Sequence, residues 1–253
     1  EATFKCYLVA HSMGGLVCRA FLQNKTLGEE SARASVDKFF TYATPHNGIE
    51  MAGINVPKWL GAMDMNTFNR DGLSDLLALK SEFKNTGRVD WIPSGSSLPI
   101  ERMFCMVGSN RGDYDAGAGL SRMFAGHGSD GLVKAENATL CGIDHESKKQ
   151  TPVATAYAYR AHSGPFGIVN SEESYQNLIR FLFGNLRIDI WAEVDEVTLP
   201  PAIENKAVEA LYQFEVLAAP RGKPWFLTRR TAEEDSVACR SHSELKVPAA
   251  GER

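Results

Sequence analysis

Two rhythms of apolar and polar positions run along this chain, and one gives way to the other near residue 184. Residues 4–10 (Phe-Lys-Cys-Tyr-Leu-Val-Ala) form a short, mostly apolar run that predicts a buried parallel strand. The run breaks sharply at His11-Ser12-Met13-Gly14-Gly15, and Leu16, Val17, Ala20 and Phe21 then fall at helical spacing, which predicts a helix reaching to about Gly28. A second strand is expected at 38–43, stopped by Thr44-Pro45-His46-Asn47-Gly48. Residues 49–100 show no clean strand period, a third strand fits 102–107, and a Gly-rich loop follows from 108 to 131. A fourth strand within 153–159 precedes the loop 160–165. The next helix is the best marked: Ser171 can cap it, Glu172 and Glu173 suit its N-terminal dipole, and Gly184 stops it. Its expected apolar stripe is Tyr175, Leu178, Ile179 and Leu182.

Past Gly184 the period changes to two. Leu186, Ile188 and Ile190 alternate with charged residues, Pro200-Pro201 interrupt, and Tyr212, Phe214 and Val216 alternate again before a turn at Arg221-Gly222-Lys223-Pro224. This pattern predicts antiparallel strands. The expected organisation is therefore a strand–helix body over 1–184 and a β-rich appended region over 185–253, in which Trp191 and Trp225 read as core residues, with anchors to a lipid surface or another protein as the competing reading.

Composition narrows the picture only a little. Apolar residues make up 43% and charged residues 23% of 253, an ordinary globular balance that argues against disorder. A net charge of -4 gives no basic footprint for nucleic acid. No stretch approaches the ~20 apolar residues of a membrane span. The five cysteines are odd in number, scattered and without a C-x-x-C pair, so reduced thiols are expected rather than a disulfide framework or zinc site. Glu1 does not read as a natural start, and no targeting segment is visible. A soluble protein is the expectation; its compartment is left open, with the cytoplasm favoured over export, and its oligomeric state is left open too.

The chemistry concentrates at 10–15. A serine hydroxyl is a weak nucleophile and must be exposed, fixed and set beside a base. A strand-to-helix turn flanked by tiny residues does this, thrusting Ser12 outward and aiming the Met13 N–H, with the helix N-terminus behind it, at a developing oxyanion. Ala10-His11-Ser12-Met13-Gly14-Gly15 resembles the nucleophile elbow of α/β-hydrolase lipases and esterases, with Ala10 where the first Gly is usual.

That resemblance implies a triad in the order Ser, acid, His. Of six histidines, His11 lies inside the elbow, His46 and His127 precede the best acid, His145 sits in a polar stretch and His242 in the appended region. His162 alone follows an expected strand and precedes a capped helix, where the family places its base. Gly128-Ser129-Asp130-Gly131-Leu132-Val133 resembles the lipase segment carrying the acid, so Asp130 is preferred to Asp113, Asp115 and Asp144. Thr44-Pro45-His46-Asn47-Gly48 resembles a second lipase segment, in which His46 would be a structural hydrogen-bonder.

In the family this strand leads into a cap. Residues 49–100 are the candidate cap or lid, and Met51, Trp59, Met63 and Phe68 are candidate walls for an acyl chain, with ordinary core as the competing reading. Asp113 and Asp115 read as solvated loop acids rather than calcium ligands. No metal and no cofactor is expected.

The resemblance covers roughly 4–184 and starts inside the fold. It implies the C-terminal half of an α/β-hydrolase parallel sheet flanked by helices, with the edge of the nucleophile strand exposed and a second oxyanion donor supplied from outside this chain. The expectation is a piece of a longer protein. The implied activity is hydrolysis of carboxylic esters, lipid-like ones included, by an acyl-enzyme mechanism. An acyltransferase, thioesterase or amidase on the same triad, or a non-catalytic binding module of the same fold, are the alternatives.

Overall fold

Four parallel strands carry the site. They are β1 (Cys6–His11), β2 (Val36–Tyr42), a third at Met103–Gly108 and a fourth at Ala154–Ala158, hydrogen-bonded in that order. The computed structural model describes residues 4–51, 54–55, 69–112, 128–144, 146–147, 149–186, 195–199, 201, 211–213, 219, 221–222 and 239–242. The chain divides into two compact units, 1–184 and 185–253.

In the first unit, β1 leads through Ser12 into α1 (Met13–Gln23), and α2 (Glu30–Ala34) precedes β2. A two-residue pair follows, β3 (Glu50–Met51) antiparallel to β4 (Ile54–Asn55). Then come α3 (Arg70–Leu76), α4 (Lys80–Thr86), β5 (Trp91–Pro93), β6 (Met103–Gly108), β7 (Cys141–Ile143), β8 (Gln150–Pro152), β9 (Ala154–Ala158) and α5 (Glu172–Phe183). Strand β5 pairs parallel to β7, and β7 antiparallel to β8, making a small second sheet. Only Val153 separates β8 from β9, so one run of chain serves both sheets.

The architecture is α/β, a parallel sheet with helices packed on it. β2 reads as Val-Asp-Lys-Phe-Phe-Thr-Tyr and buries four consecutive residues, Phe39 to Tyr42, as a strand covered on both faces must. One core cluster joins Leu16 and Ala20 of α1 to Leu73, Leu77, Leu79, Val89 and Trp91. The other joins Phe40, Tyr42, Met106 and Ala158 to Ile168, with Leu178 and Phe181 of α5 against it. Phe40 stacks on Phe104 at 5.0 Å between ring centroids.

Four expectations need correction. β1 lies at the sheet edge, as expected of the nucleophile strand, but it is not buried along its length: Tyr7 and Val9 are 42% and 45% exposed. α1 stops at Gln23, where the Asn24 backbone turns extended, and its buried face carries Arg19, while Val17 is 61% exposed. The Ser171 cap of α5 is present, its hydroxyl accepting from Ser174 N–H at 3.2 Å, but Tyr175 faces out and Phe181 and Leu178 pack inward. The stretch 49–100 does contain a strand, β5, whose three residues are too few to show a period.

Of the second unit, the described part is a short antiparallel pair, β10 (Leu211–Gln213) with β11 (Cys239–Ser241). Tyr212 OH lies 3.1 Å from His242 Nδ1. Trp191 and Trp225 fall outside the described residues. Cys6, Cys18, Cys105 and Cys141 are free thiols. Among the described residues no helix is long and apolar enough to cross a membrane.

Candidate active site

Parallel strands all end on one rim, and three of the four ends supply the candidate groups. The end of β1 is a sharp turn. Ser12 has φ 52° and ψ -130°, a backbone state that costs a non-glycine residue of the order of 1–3 kcal/mol. Two bonds hold it there: Ser12 N–H donates to Tyr42 O at 2.9 Å, and Gly15 N–H donates to Ser12 O at 3.0 Å. The small neighbours have distinct reasons. A Cβ on Gly15 would overlap the Thr44 side chain, so helix and β2 could not approach as they do. A Cβ on Gly14 would lie 3.7 Å from the Ala10 Cβ, an ordinary contact, so the methyl of Ala10 is accommodated in place of the usual glycine. Met13 opens α1 in the first turn, where backbone N–H groups have no intrahelical acceptor.

The acid follows β6 by a long loop. Asp130 is buried, and its Oδ1 accepts from Leu132 N–H at 3.0 Å and Val133 N–H at 2.8 Å. Its Oδ2 faces His162 Nδ1 at 2.9 Å. Gly108 at the end of β6 makes room, since a Cβ there would come within 2.8 Å of the Asp130 Cβ and 2.7 Å of the Arg160 carbonyl. The loop after β9 carries His162, buried, whose Nε2 lies 2.9 Å from Ser12 Oγ. Residues 12, 130 and 162 thus form one unbroken chain of hydrogen bonds. The backbone repeats the link, His162 N–H donating to Asp130 O at 2.8 Å.

His11 also belongs here. Its Nε2 lies 2.8 Å from the His162 carbonyl oxygen, and the two rings are 4.9 Å apart. Burial is the largest influence on its imidazole and holds it below the ordinary value, with the neighbouring His162 adding to that and the carbonyl bond and Asp130 opposing.

The other predicted residues are elsewhere. His46 is fully buried, its Nε2 3.2 Å from Thr41 Oγ1 and its Nδ1 without a partner. Burial, with the positive charge of Arg19 second, keeps it well below the usual imidazole range, so it is neutral. Asp144 Oδ1 caps a turn, accepting from Glu146 and Ser147 N–H. His242 lies in the second unit. Met51 has its backbone in β3. Trp59, Met63, Phe68, Asp113, Asp115, His127 and His145 fall outside the described residues. Among the described residues no group of three or more His, Cys, Asp or Glu side chains could hold a metal.

One residue was not anticipated. Arg19 is completely buried on α1, about two helical turns beyond Ser12. Its guanidinium donates to the carbonyls of His46 at 2.9 Å, Val89 at 2.6 Å and Trp91 at 2.7 Å, and to the Gln23 side chain. Burial pulls it down to about 10, which leaves it charged at neutral pH. It ties the elbow helix to the Thr44-Pro45-His46-Asn47-Gly48 turn and to β5. The one available signal was a charge at position 19 between Leu16 and Ala20, inside the apolar stripe.

No family model and no curated protein matches the sequence. Among solved structures the chain is similar to the mature form of lipase BlEst2 from Bacillus licheniformis, at 19% identity and TM-score 0.42 over 71% of this chain and 66% of that one. The propeptide form of the same lipase aligns at 16% identity and TM-score 0.43, over 76% and 38%. Phospholipase PlaB from Legionella pneumophila aligns at 19% identity and TM-score 0.42, over 71% and 43%. The chain spans less than two thirds of the length of each.

Proposed function

We propose that this protein is a serine hydrolase of carboxylic esters, lipid-like ones included, with Ser12 as nucleophile, His162 as base and Asp130 as the acid that orients it. The observation that carries this reading is the pair of 2.9 Å contacts joining Ser12 Oγ to His162 Nε2 and His162 Nδ1 to Asp130 Oδ2. Such a chain serves nucleophilic acyl transfer and has no structural need of a strained, half-exposed serine at one end.

As Ser12 Oγ attacks the ester carbonyl, His162 Nε2 takes its proton. Asp130 stays ionised: with Oδ1 engaged by two backbone N–H groups, Oδ2 fixes the tautomer that leaves Nε2 free to accept. The Met13 N–H at the start of α1 meets the negative charge that develops on the carbonyl oxygen. Collapse expels the alcohol, protonated by His162, and water activated by the same imidazole releases the acid. Met51, Trp59, Met63 and Phe68 are proposed to wall the acyl chain, on the strength of their pliant, apolar side chains following β2.

Labelling by a fluorophosphonate probe tests the assignment. The protein is expected to label once, and Ser12→Ala to stay dark. Labelling that survives in Ser12→Ala, or a folded full-length protein that never labels, would end the hydrolase reading.

A further inference from the structure

The residue immediately before the nucleophile also grips the base. We propose that His11 is a positioning residue, whose Nε2–H donates to the His162 carbonyl and so holds the base in register with Ser12; this rests on the hydrolase reading above. The His162 peptide is pinned from both ends. Its N–H goes to the backbone of Asp130 at 2.8 Å, and its C=O lies 2.8 Å from His11 Nε2. The remainder of that loop is exposed from Ser163 to Phe166 and closes on itself, Phe166 O accepting from Ala161 N–H at 3.3 Å and Gly164 O from Gly167 N–H at 2.9 Å, so the His11 bond is what ties its carbonyl side to β1. Without the His11 bond the carbonyl side of His162 loses its link to the elbow. The imidazole would then keep its two side-chain contacts and the backbone bond to Asp130, with nothing among the described residues tying its carbonyl side to β1.

The chemistry of the bond fixes the state of His11. A carbonyl oxygen only accepts, so Nε2 must carry the hydrogen, and in a neutral ring Nδ1 is then bare. Neutrality suits the reaction as well. His162 becomes imidazolium while it holds the serine proton, and a second positive ring at 4.9 Å would oppose that step. A neutral donor supplies the bond without the charge.

A base displaced by about 1 Å costs roughly a hundredfold in rate. The loss falls on kcat, because proton transfer belongs to the transition state and not to substrate binding.

Two measurements decide the matter. Long-range proton–nitrogen spectra of the imidazoles, taken on the intact protein above pH 7, are expected to read His11 as the Nε2–H tautomer. An Nδ1–H tautomer would overturn the proposal, since no donor would face the carbonyl. Ester turnover is then compared in His11→Gln and His11→Met, which have side chains of equal length and differ in having an amide donor. The Met variant is expected to lose about ten- to a hundredfold in kcat with KM little changed, and the Gln variant to recover most of it. Equal kcat in the two, or parental kcat in His11→Met, would overturn the proposal. Should His11→Met fail to fold, His11→Asn, whose amide stops short of the carbonyl, must show the same loss or the proposal falls. Ser12→Ala sets the blank. Turnover that persists in Ser12→Ala would sink the hydrolase reading, whereas the tautomer would still decide the His11 bond.

Discussion

Replacing Asp130 by asparagine changes one atom, and the surroundings dictate which way the new amide must face. Oδ1 of Asp130 receives two backbone hydrogens, from Leu132 at 3.0 Å and Val133 at 2.8 Å. In Asp130→Asn the amide oxygen takes that place, because an NH2 group there would confront two donors. The NH2 is therefore driven toward His162 Nδ1, which lies 2.9 Å away. To meet it, His162 must present a bare Nδ1 and move its hydrogen to Nε2. That nitrogen, 2.9 Å from Ser12 Oγ, then donates instead of accepting, and the serine has no base. Imposing the wrong tautomer in a triad of this kind costs about 10⁴ in kcat, close to 5.5 kcal/mol of transition-state stabilisation at 1.36 kcal/mol per tenfold. Stability should barely move, since all three hydrogen bonds are kept with their polarity adjusted, a change within about 1 kcal/mol. The assay is turnover of a chromogenic ester alongside urea denaturation. A folded Asp130→Asn protein with kcat within tenfold of the parent would refute the reasoning.

Gly15→Ala is expected to cost about 1–3 kcal/mol by forcing a methyl into Thr44, whereas Gly14→Ala, with 3.7 Å of clearance, should be neutral or slightly stabilising; thermal melts of the pair separate them. Arg19→Met leaves the His46, Val89 and Trp91 carbonyls without their buried donor, and a loss of about 3–5 kcal/mol is expected by urea denaturation, with a smaller value arguing that water replaces the guanidinium. Acid should destabilise the fold through His46 and His11. Both are held below their ordinary value near 6.5, so the unfolded chain binds more protons, stability is fully present above that value and it falls as pH drops toward the folded ones. His46→Gln should flatten the melting temperature against pH below 6.5, and an unchanged slope would show that His46 is not the group being charged.

Much of this could be read from the residues because it depends on local rules. The elbow at 10–15 needs small side chains beside Ser12, and the structure gives the reason at Gly15, where any Cβ meets Thr44. The helix after 171 carries its cap and its acidic first turn in adjacent positions. What escaped depends on contacts between distant segments. The role of Arg19 could not be read because its three carbonyl partners come from residues 46, 89 and 91. β5 and β7 have three residues each and pair across about fifty positions, too short for any period to register. Val17 and Tyr175 were placed on buried faces by spacing, but the helical repeat gives an angle without saying where a sheet lies. The role of His11 could not be inferred at all, since its partner is a backbone carbonyl 151 residues later.

The accuracy of the site therefore resides in the sheet more than in the loops. Tyr42 O receives Ser12 N–H, Met106 O receives Ala43 N–H, and Ala158 O receives Ser109 N–H, so each strand end is fixed by the next strand across the whole rim. Asp130 follows the end of β6 by 22 residues and His162 the end of β9 by four, and on a loop of the first length alone a 2.9 Å contact would be lost to chain entropy. The backbone bond from His162 to Asp130, and from the His11 side chain to His162, close the loops back on one another and on β1. Register is the quantity these bonds transmit: Gly108 pairs with Ala158, and His11 with Tyr42. A shift of one residue in the first pairing would turn Gly108 away from Asp130 and put a Cβ-bearing neighbour in its place, and a shift in the second would carry Ser12 out of line. Substitutions in the middle of β6 or β9 that leave the loops untouched should thus be felt at Ser12, because the strand cores, Cys105 and Met106 among them, set the geometry of the candidate site from a distance.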